Sequence, residues 1–274
     1  MHRLTFQDHR RSLDRNRYVY AVVSRRSRGL SIGVNLNPDK ACNFACPYCQ
    51  VDRTVPGGAR KVDVGLLGDE LGRLLSLCGS GDLWSVPPFD TAAQEYRRVN
   101  DIAFAGDGEP TACAEFPGAV EETVRQRGIH GLESVRLHLL TNATLFHRPR
   151  VRDGLGRLWA GGGEVWAKLD AGTEEWFRRV DGTSIPLQRV LDNIAWAASE
   201  QPVVLQCMFH RFGDTGPGQA EIEAWAGRIG QILDQGGRIR QVQVYTVARR
   251  PAAADVHPLD AGRLGEIAAA ARLA

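Results

Sequence analysis

The sequence predicts an α/β fold, a partial (β/α)6 barrel with a parallel sheet, outer helices and one open side. Three observations carry this. Six short runs rich in β-branched or apolar residues recur along the chain, each followed by a helical pattern or a Gly/Pro loop. Several runs are too apolar to alternate, as parallel strands buried on both faces should be. The 274 residues suffice for one such unit, and six repeats are too few for a closed eight-stranded barrel.

Residues 1–30 read as a short N-terminal extension carrying the strand-like Tyr18–Ser24, and residues 31–274 as one barrel domain. The six strands are placed at Ser31–Leu36, Asp101–Gly106, Ser134–Thr141, Glu164–Asp170, Val203–Phe209 and Arg240–Val247. Between the first two, Val64, Leu67, Leu71, Leu74 and Leu75 fall at helical spacing. Ile222, Trp225, Ala226, Ile229, Ile232 and Leu233 do the same before the last strand. Cys78–Asn100, with Gly79-Ser-Gly81 and Pro87-Pro88, reads as a loop or insertion. The Ala-rich end reads as a final helix begun near Leu259, after Pro258.

Composition points to an ordinary soluble globular protein, with 43% hydrophobic and 24% charged residues. No apolar run approaches the ~18 residues of a membrane helix, and the first residues lack a signal-peptide core. The cytoplasm is the expected location. The net charge of +2 does not by itself argue for nucleic acid. The basic stretch of His9, Arg10, Arg11, Arg15, Arg17, Arg25, Arg26 and Arg28 is a solvated face or a contact for a phosphate-bearing substrate or RNA.

Cys42-Asn-Phe-Ala-Cys46-Pro-Tyr-Cys49 carries the chemistry. Three thiolates come from one loop at the carboxyl end of a strand, where α/β enzymes keep their active groups. Iron–sulfur clusters are normally held by four cysteines, so a set of three leaves one iron open to another ligand. Cys78, Cys113 and Cys207 stand apart from the triplet and read as packed or idle thiols. A zinc-binding module, with Cys78 or a histidine as fourth ligand, is the reading from a different class. Zinc ligands usually come as two spaced pairs, and the histidines form no H-x-x-H or H-E-x-x-H spacing. No G-x-S-x-G or P-loop appears.

This cysteine motif, with Tyr48 before its third cysteine, resembles that of the radical S-adenosylmethionine (SAM) enzymes. Tyr18-Val-Tyr-Ala-Val-Val-Ser24, Gly33-Val-Asn-Leu-Asn37 and Tyr48-Cys-Gln-Val-Asp-Arg53 resemble a bacterial branch related to the tRNA-wybutosine enzymes. The resemblance implies a [4Fe–4S] cluster on Cys42, Cys46 and Cys49, with SAM chelating the open iron. It implies reductive cleavage of SAM to methionine and a 5′-deoxyadenosyl radical, with an electron donor such as flavodoxin or ferredoxin. It also implies that the backbone of Gly108, Glu109 and Pro110 binds the SAM amino group.

Other candidates come from strand ends. Gly106 and Gly108 allow close backbone approach and Pro110 fixes the turn. Asn142, in Thr141-Asn-Ala-Thr144, is a candidate for the SAM carboxylate or ribose. Lys168 and Asp170 share one face of their strand, as an ion pair or a SAM or substrate contact. Gln206 is a candidate for the adenine or the substrate, and Tyr245 and Arg249 for an anionic substrate group. The expected substrate is a small polar metabolite, with tRNA or a peptide as the alternative. No cysteine precedes Cys42, which sets the chain apart from the wybutosine reaction.

Overall fold

The computed structural model describes residues 16–24, 29–249 and 251–273. The basic positions His9, Arg10, Arg11, Arg15, Arg25, Arg26 and Arg28 lie outside the described residues. In chain order the elements are β1 (Val19–Ser24), β2 (Gly29–Val34), α1 (Val64–Ser80), β3 (Val99–Phe104), α2 (Phe116–Ile129), β4 (Arg136–Thr141), α3 (Pro149–Ala160) and β5 (Glu164–Lys168). There follow α4 (Glu174–Asp181), α5 (Leu187–Glu200), β6 (Val203–Met208), β7 (His210–Phe212), α6 (Gln219–Asp234), β8 (Ile239–Tyr245), β9 (Val256–Pro258) and α7 (Ala261–Ala270). One seven-stranded sheet has the order β1-β2-β3-β4-β5-β6-β8, and β7 pairs with β9 in a separate ribbon. β2–β3, β3–β4, β5–β6 and β6–β8 are parallel, while β1 joins β2 antiparallel. Successive parallel strands side by side, linked by helices, give the connectivity of an open (β/α)6 barrel.

The predicted strands are all present, and most end earlier than their apolar runs. β2 stops at Val34 and β3 at Phe104, although the next amides, of Asn35 and Ala105, still donate to the Tyr18 and Val34 carbonyls at 2.7 and 3.1 Å before the chain turns. The interval after α1 consists of short 3-10 turns. The β7–β9 ribbon is not visible as periodicity, since three-residue strands are too short to show one.

Two compact units make up the described chain, one from the residues up to Ala41, Pro56–Leu139 and Pro149–Glu164. The other comprises Cys42–Val55, Leu140–Arg148 and the residues from Val165 onward. In the first, Leu30, Ile32, Ile102 and Phe104 are buried with Leu67 and Leu71 of α1 and Phe116 of α2. Asp63 starts α1 by accepting the Leu66 amide at 3.0 Å, and Gly81 ends it in the left-handed conformation. In the second, Ala167, Leu205 and Phe209 are buried with Ile194 of α5 and Trp225 of α6. Among the described residues no helix is long and apolar enough to cross a membrane.

Glu70 of α1 is a buried acid in the first unit, 1% exposed. Its carboxylate accepts the Arg17, Tyr18 and Val19 amides at 2.8, 2.9 and 3.1 Å, tying the start of β1 to the helix. Glu70→Ala leaves those donors without a partner and should cost about 3 kcal/mol of unfolding free energy, measurable by urea denaturation.

Candidate functional site

In the second unit the cysteine loop begins at Cys42, and its few backbone hydrogen bonds leave side chains to fix it. Asn43 Nδ2 donates to Thr144 Oγ1 at 2.5 Å, and Asn142 Nδ2 donates to Asn43 Oδ1 at 2.6 Å. Asn142 Oδ1 in turn accepts from the Thr144 amide and hydroxyl at 3.2 and 2.7 Å. Between them Ala143 takes a left-handed φ of 59°, and its carbonyl accepts Asn193 Nδ2 at 2.7 Å. The turn after β4 is thus shaped to hold Asn43, and Asn142 spends its amide on the cysteine loop.

The three thiols are half-buried. A tight turn joins the second and third, with the Cys49 amide donating to the Cys46 carbonyl at 2.9 Å. The Phe44 amide already points at Cys42 Sγ, 3.5 Å away. Cluster sulfurs draw on such hydrogen bonds, so loop and donor set fit a [4Fe–4S] cluster. Among the described residues no three His, Cys, Asp or Glu side chains converge as a single-ion site. The far side of the loop is pinned by Ala252 and Ala253, whose amides donate to the Cys49 and Pro47 carbonyls, both at 3.0 Å. Arg249 Nη1 donates to Gln50 Oε1 at 2.8 Å, so the structure places this arginine against the loop's exit.

Tyr48 turns inward. Its hydroxyl donates to Asp170 Oδ2 and lies 3.1 Å from Asp181 Oδ1. Lys168 Nζ donates to Asp170 Oδ2 at 2.6 Å and sits 4.8 Å from the centre of the Tyr48 ring. Asp170 Oδ1 accepts the Met208 amide at 2.9 Å. Burial alone would lower the Lys168 pKa, but Asp170 and the other acids hold it well above the usual lysine value. Burial, with the charge of Asp170, pushes the Asp181 carboxyl up to about 8. Burial also raises the Cys46 thiol and the Tyr48 phenol, with Asp181 the next cause for Cys46 and Asp170 for Tyr48.

The strand register gathers polar groups. Lys168 pairs with Gln206 and Gln206 with Gln243, putting three polar side chains in one row on one face of β5, β6 and β8. Tyr245 pairs with Met208 one step further along that face. Gln206 Nε2 donates to Gln243 Oε1 at 3.2 Å. Glu221 fixes the turn after Asp170, accepting the Gly172 and Thr173 amides at 2.6 and 3.2 Å.

In the first unit the turn after β3 holds Gly106, Asp107, Gly108, Glu109 and Pro110. A Cβ at Gly108 would overlap the Ala41 carbonyl oxygen, and one at Gly106 would overlap Asn35 Oδ1. The Glu109 amide donates to the Ala41 carbonyl at 3.1 Å. Both glycines therefore admit a close approach of this chain to itself. The Glu109 carboxylate accepts the Thr111 amide and hydroxyl at 3.1 and 2.6 Å, and Pro110 opens a 3-10 turn.

Asn43, Asp181, His210 and Gln243 escape a reading of the sequence. Gln243 needed the β6–β8 register, and Asn43 its partner 99 residues away. Asp181 carried a faint signal, an acid ending a helix whose macrodipole disfavours it there.

The model of the radical SAM superfamily matches residues 36–219. The chain belongs to that superfamily, whose members are enzymes that use a [4Fe–4S] cluster and S-adenosylmethionine. A radical SAM methyltransferase from Sphaerobacter thermophilus shares its fold with a TM-score of 0.61 at 12% identity, covering 96% of this chain and 69% of that one. SuiB of Streptococcus suis bound to S-adenosylmethionine gives 0.55 at 12% identity, over 89% and 47%. TYW1 with a lysine-pyruvate adduct bound gives 0.54 at 14% identity, over 89% and 72%. At such identities the likeness is one of fold. A curated relative, the GTPase Obg of Brachyspira hyodysenteriae (strain ATCC 49526 / WA1), is 26% identical over 179 residues, 64% of this chain. The chain spans 22% of that relative's length and has no P-loop of its own.

Asn142→Ala should remove one of the two bonds that hold Asn43 and lower the iron retained after anaerobic reconstitution several-fold, with the fold intact by circular dichroism. His210 offers a pH test. It is 1% exposed, packs edge-on against Tyr48 with ring centroids 5.2 Å apart, and neither ring nitrogen has a hydrogen-bond partner among the described residues. Burial drops its pKa from 6.5 to about 4. The unfolded chain takes up this proton near pH 6.5 and the folded one only near 4, so the ring's stabilising share is complete above pH 6.5 and fades toward 4. His210→Phe should narrow the loss of stability between pH 7 and pH 4.5, read from urea midpoints at both.

Proposed function

We propose that this enzyme acts on a small polar metabolite, abstracting hydrogen with a 5′-deoxyadenosyl radical. The cluster, held by Cys42, Cys46 and Cys49, would supply the electron that cleaves SAM to methionine and that radical. A low-potential donor such as flavodoxin or ferredoxin is the expected reductant. The single observation that carries the substrate reading is the row of Lys168, Gln206 and Gln243. Gln206 is buried and Lys168 and Gln243 are half-buried; polar groups enclosed in this way are costly without partners, and a compact ligand rich in hydrogen-bonding atoms would satisfy this set. Lys168 has donors beyond the one given to Asp170 and is the group we assign to a SAM or substrate anion. Asp170 would hold the lysine charged and in place. Tyr245 would orient the substrate from the adjoining step of the same face, and Tyr48 would back the lysine with its ring. Arg249, already bonded to Gln50, would steady the loop's exit and meet an anionic group from outside. The Gly106–Pro110 turn remains our assignment for the amino group of SAM.

Anaerobically reconstituted protein with dithionite and SAM should release 5′-deoxyadenosine and methionine, quantified by chromatography. Replacing Cys42, Cys46 and Cys49 by Ala should abolish both the release and the visible cluster absorbance. Lys168→Ala should weaken SAM or substrate binding about tenfold or more, consistent with losing a charged hydrogen bond of ~1.5–3 kcal/mol. Tyr245→Phe should spare uncoupled SAM cleavage and slow product formation once a metabolite that stimulates turnover is in hand. Normal turnover by Tyr245→Phe and Lys168→Ala together would remove this face from the substrate site.

A further inference from the structure

Asp181 is a buried acid that the proposed chemistry does not use. It is the last residue of α4 and is 1% exposed. A carboxyl group at the C-terminus of a helix is opposed by the macrodipole, and burial adds to the cost. Something local must offset both.

Three consecutive residues meet the cysteine loop. The Ala45 amide donates to the Asp181 carbonyl at 3.1 Å. The Thr183 hydroxyl donates to the Asn43 carbonyl, also at 3.1 Å. Between them Gly182 has a φ of 57°, and a Cβ there would overlap the Ala45 carbonyl. Only glycine suits that left-handed position with the loop pressed against it. Phe44, inside the loop, packs edge-on against Phe177 one turn earlier in α4, with centroids 5.6 Å apart. The backbone of Asp181-Gly182-Thr183 is thus a clamp, and the Asp181 carboxyl is not needed for it. That group points past the clamp, with Oδ1 3.5 Å from Cys46 Sγ and 3.1 Å from the Tyr48 hydroxyl.

We propose that Asp181 is a positioning residue for the iron–sulfur cluster: its carboxyl accepts from the Cys46 thiol before ligation, so orienting it, and stands beside that ligand sulfur afterwards, while Gly182 and Thr183 fix the loop backbone. This rests on the reading of Cys46 as a cluster ligand. Hydrogen bonds and charge at cluster sulfurs help to set the reduction potential, so Asp181 should affect how the cluster behaves as well as whether it stays.

The test uses the full chain, reconstituted anaerobically without SAM or substrate. Iron and sulfide after desalting, the electron paramagnetic resonance spectrum of the reduced state, and the midpoint potential are measured. Asp181→Ala should lose iron several-fold faster than the wild type. Asp181→Asn, which keeps the shape and hydrogen-bonding reach, should retain iron like the wild type, with a displaced potential and altered spectrum. Thr183→Val, which removes the bond to the Asn43 carbonyl and the one the hydroxyl accepts from the Ile185 amide, should lower retention and leave the potential unchanged. Should Asp181→Ala fail to fold, the potential and spectrum of Asp181→Asn decide. A wild-type potential and spectrum in Asp181→Asn overturns the proposal, because a purely structural role would leave both unmoved. Cys46→Ala is measured in parallel. Full iron in that variant overturns the ligand assignment itself, and is distinguishable from failure at Asp181.

Discussion

Asp170 is the point on which the second unit's site turns. One buried carboxylate accepts from the Tyr48 hydroxyl, the Lys168 ammonium and the Met208 amide, and so joins the cysteine loop, β5 and β6. A buried charge persists only where its partners are in place, and removing one of them is more damaging than never having had the pair. Its own position is fixed from behind. Trp225 Nε1 donates to the Leu169 carbonyl at 3.0 Å, and a Cβ at Gly172 would overlap the Trp225 backbone. The polar end of β5 therefore depends on the apolar packing of α6, and the electrostatics of the site inherit the precision of the core.

The loops that carry chemistry have little regular hydrogen bonding, so side chains do the work of a ladder. Asn43 and Asn142 lock the cysteine loop to the turn after β4, and the residues that close α4 meet it again. In the first unit, Asn35 Nδ2 donates to Asp107 Oδ2 at 2.8 Å and Asn35 Oδ1 accepts the Asp107 amide at 3.1 Å. Amides suit this task because each supplies a donor and an acceptor from one rigid plane. The glycines of the turn after β3 play a related part. Their missing side chains leave room for Ala41 and Asn35, so a ligand is not the only reason for glycine at Gly106 and Gly108.

Some of this was legible residue by residue. Lys168, the last residue of β5, and Asp170, two positions on, were read as sharing a face, and they form an ion pair at 2.6 Å. Gln206 and Cys207 had to point opposite ways, and both are buried, as a strand covered on both faces requires. Asn142 was visible as a polar group at a strand end, but its partner was not. A hydrogen bond to a residue 99 positions away leaves no local trace. The same holds for Asp181, whose distance from Cys46 is 135 residues along the chain and 3.5 Å in space.

The sequence by itself determined what is local: the strand and helix periods, the parallel α/β class, and three thiols on one short loop. Those follow from φ/ψ preferences, burial patterns of period two or 3.6 residues, and the reach of adjacent side chains. Tertiary structure alone decided which groups surround those thiols. The register of β5, β6 and β8 set Gln243 beside Gln206, and the closing turn of α4 brought Asp181 to Cys46. The physical reason is that a buried polar group is chosen by the partners the fold brings to it, and those partners are distant in the chain.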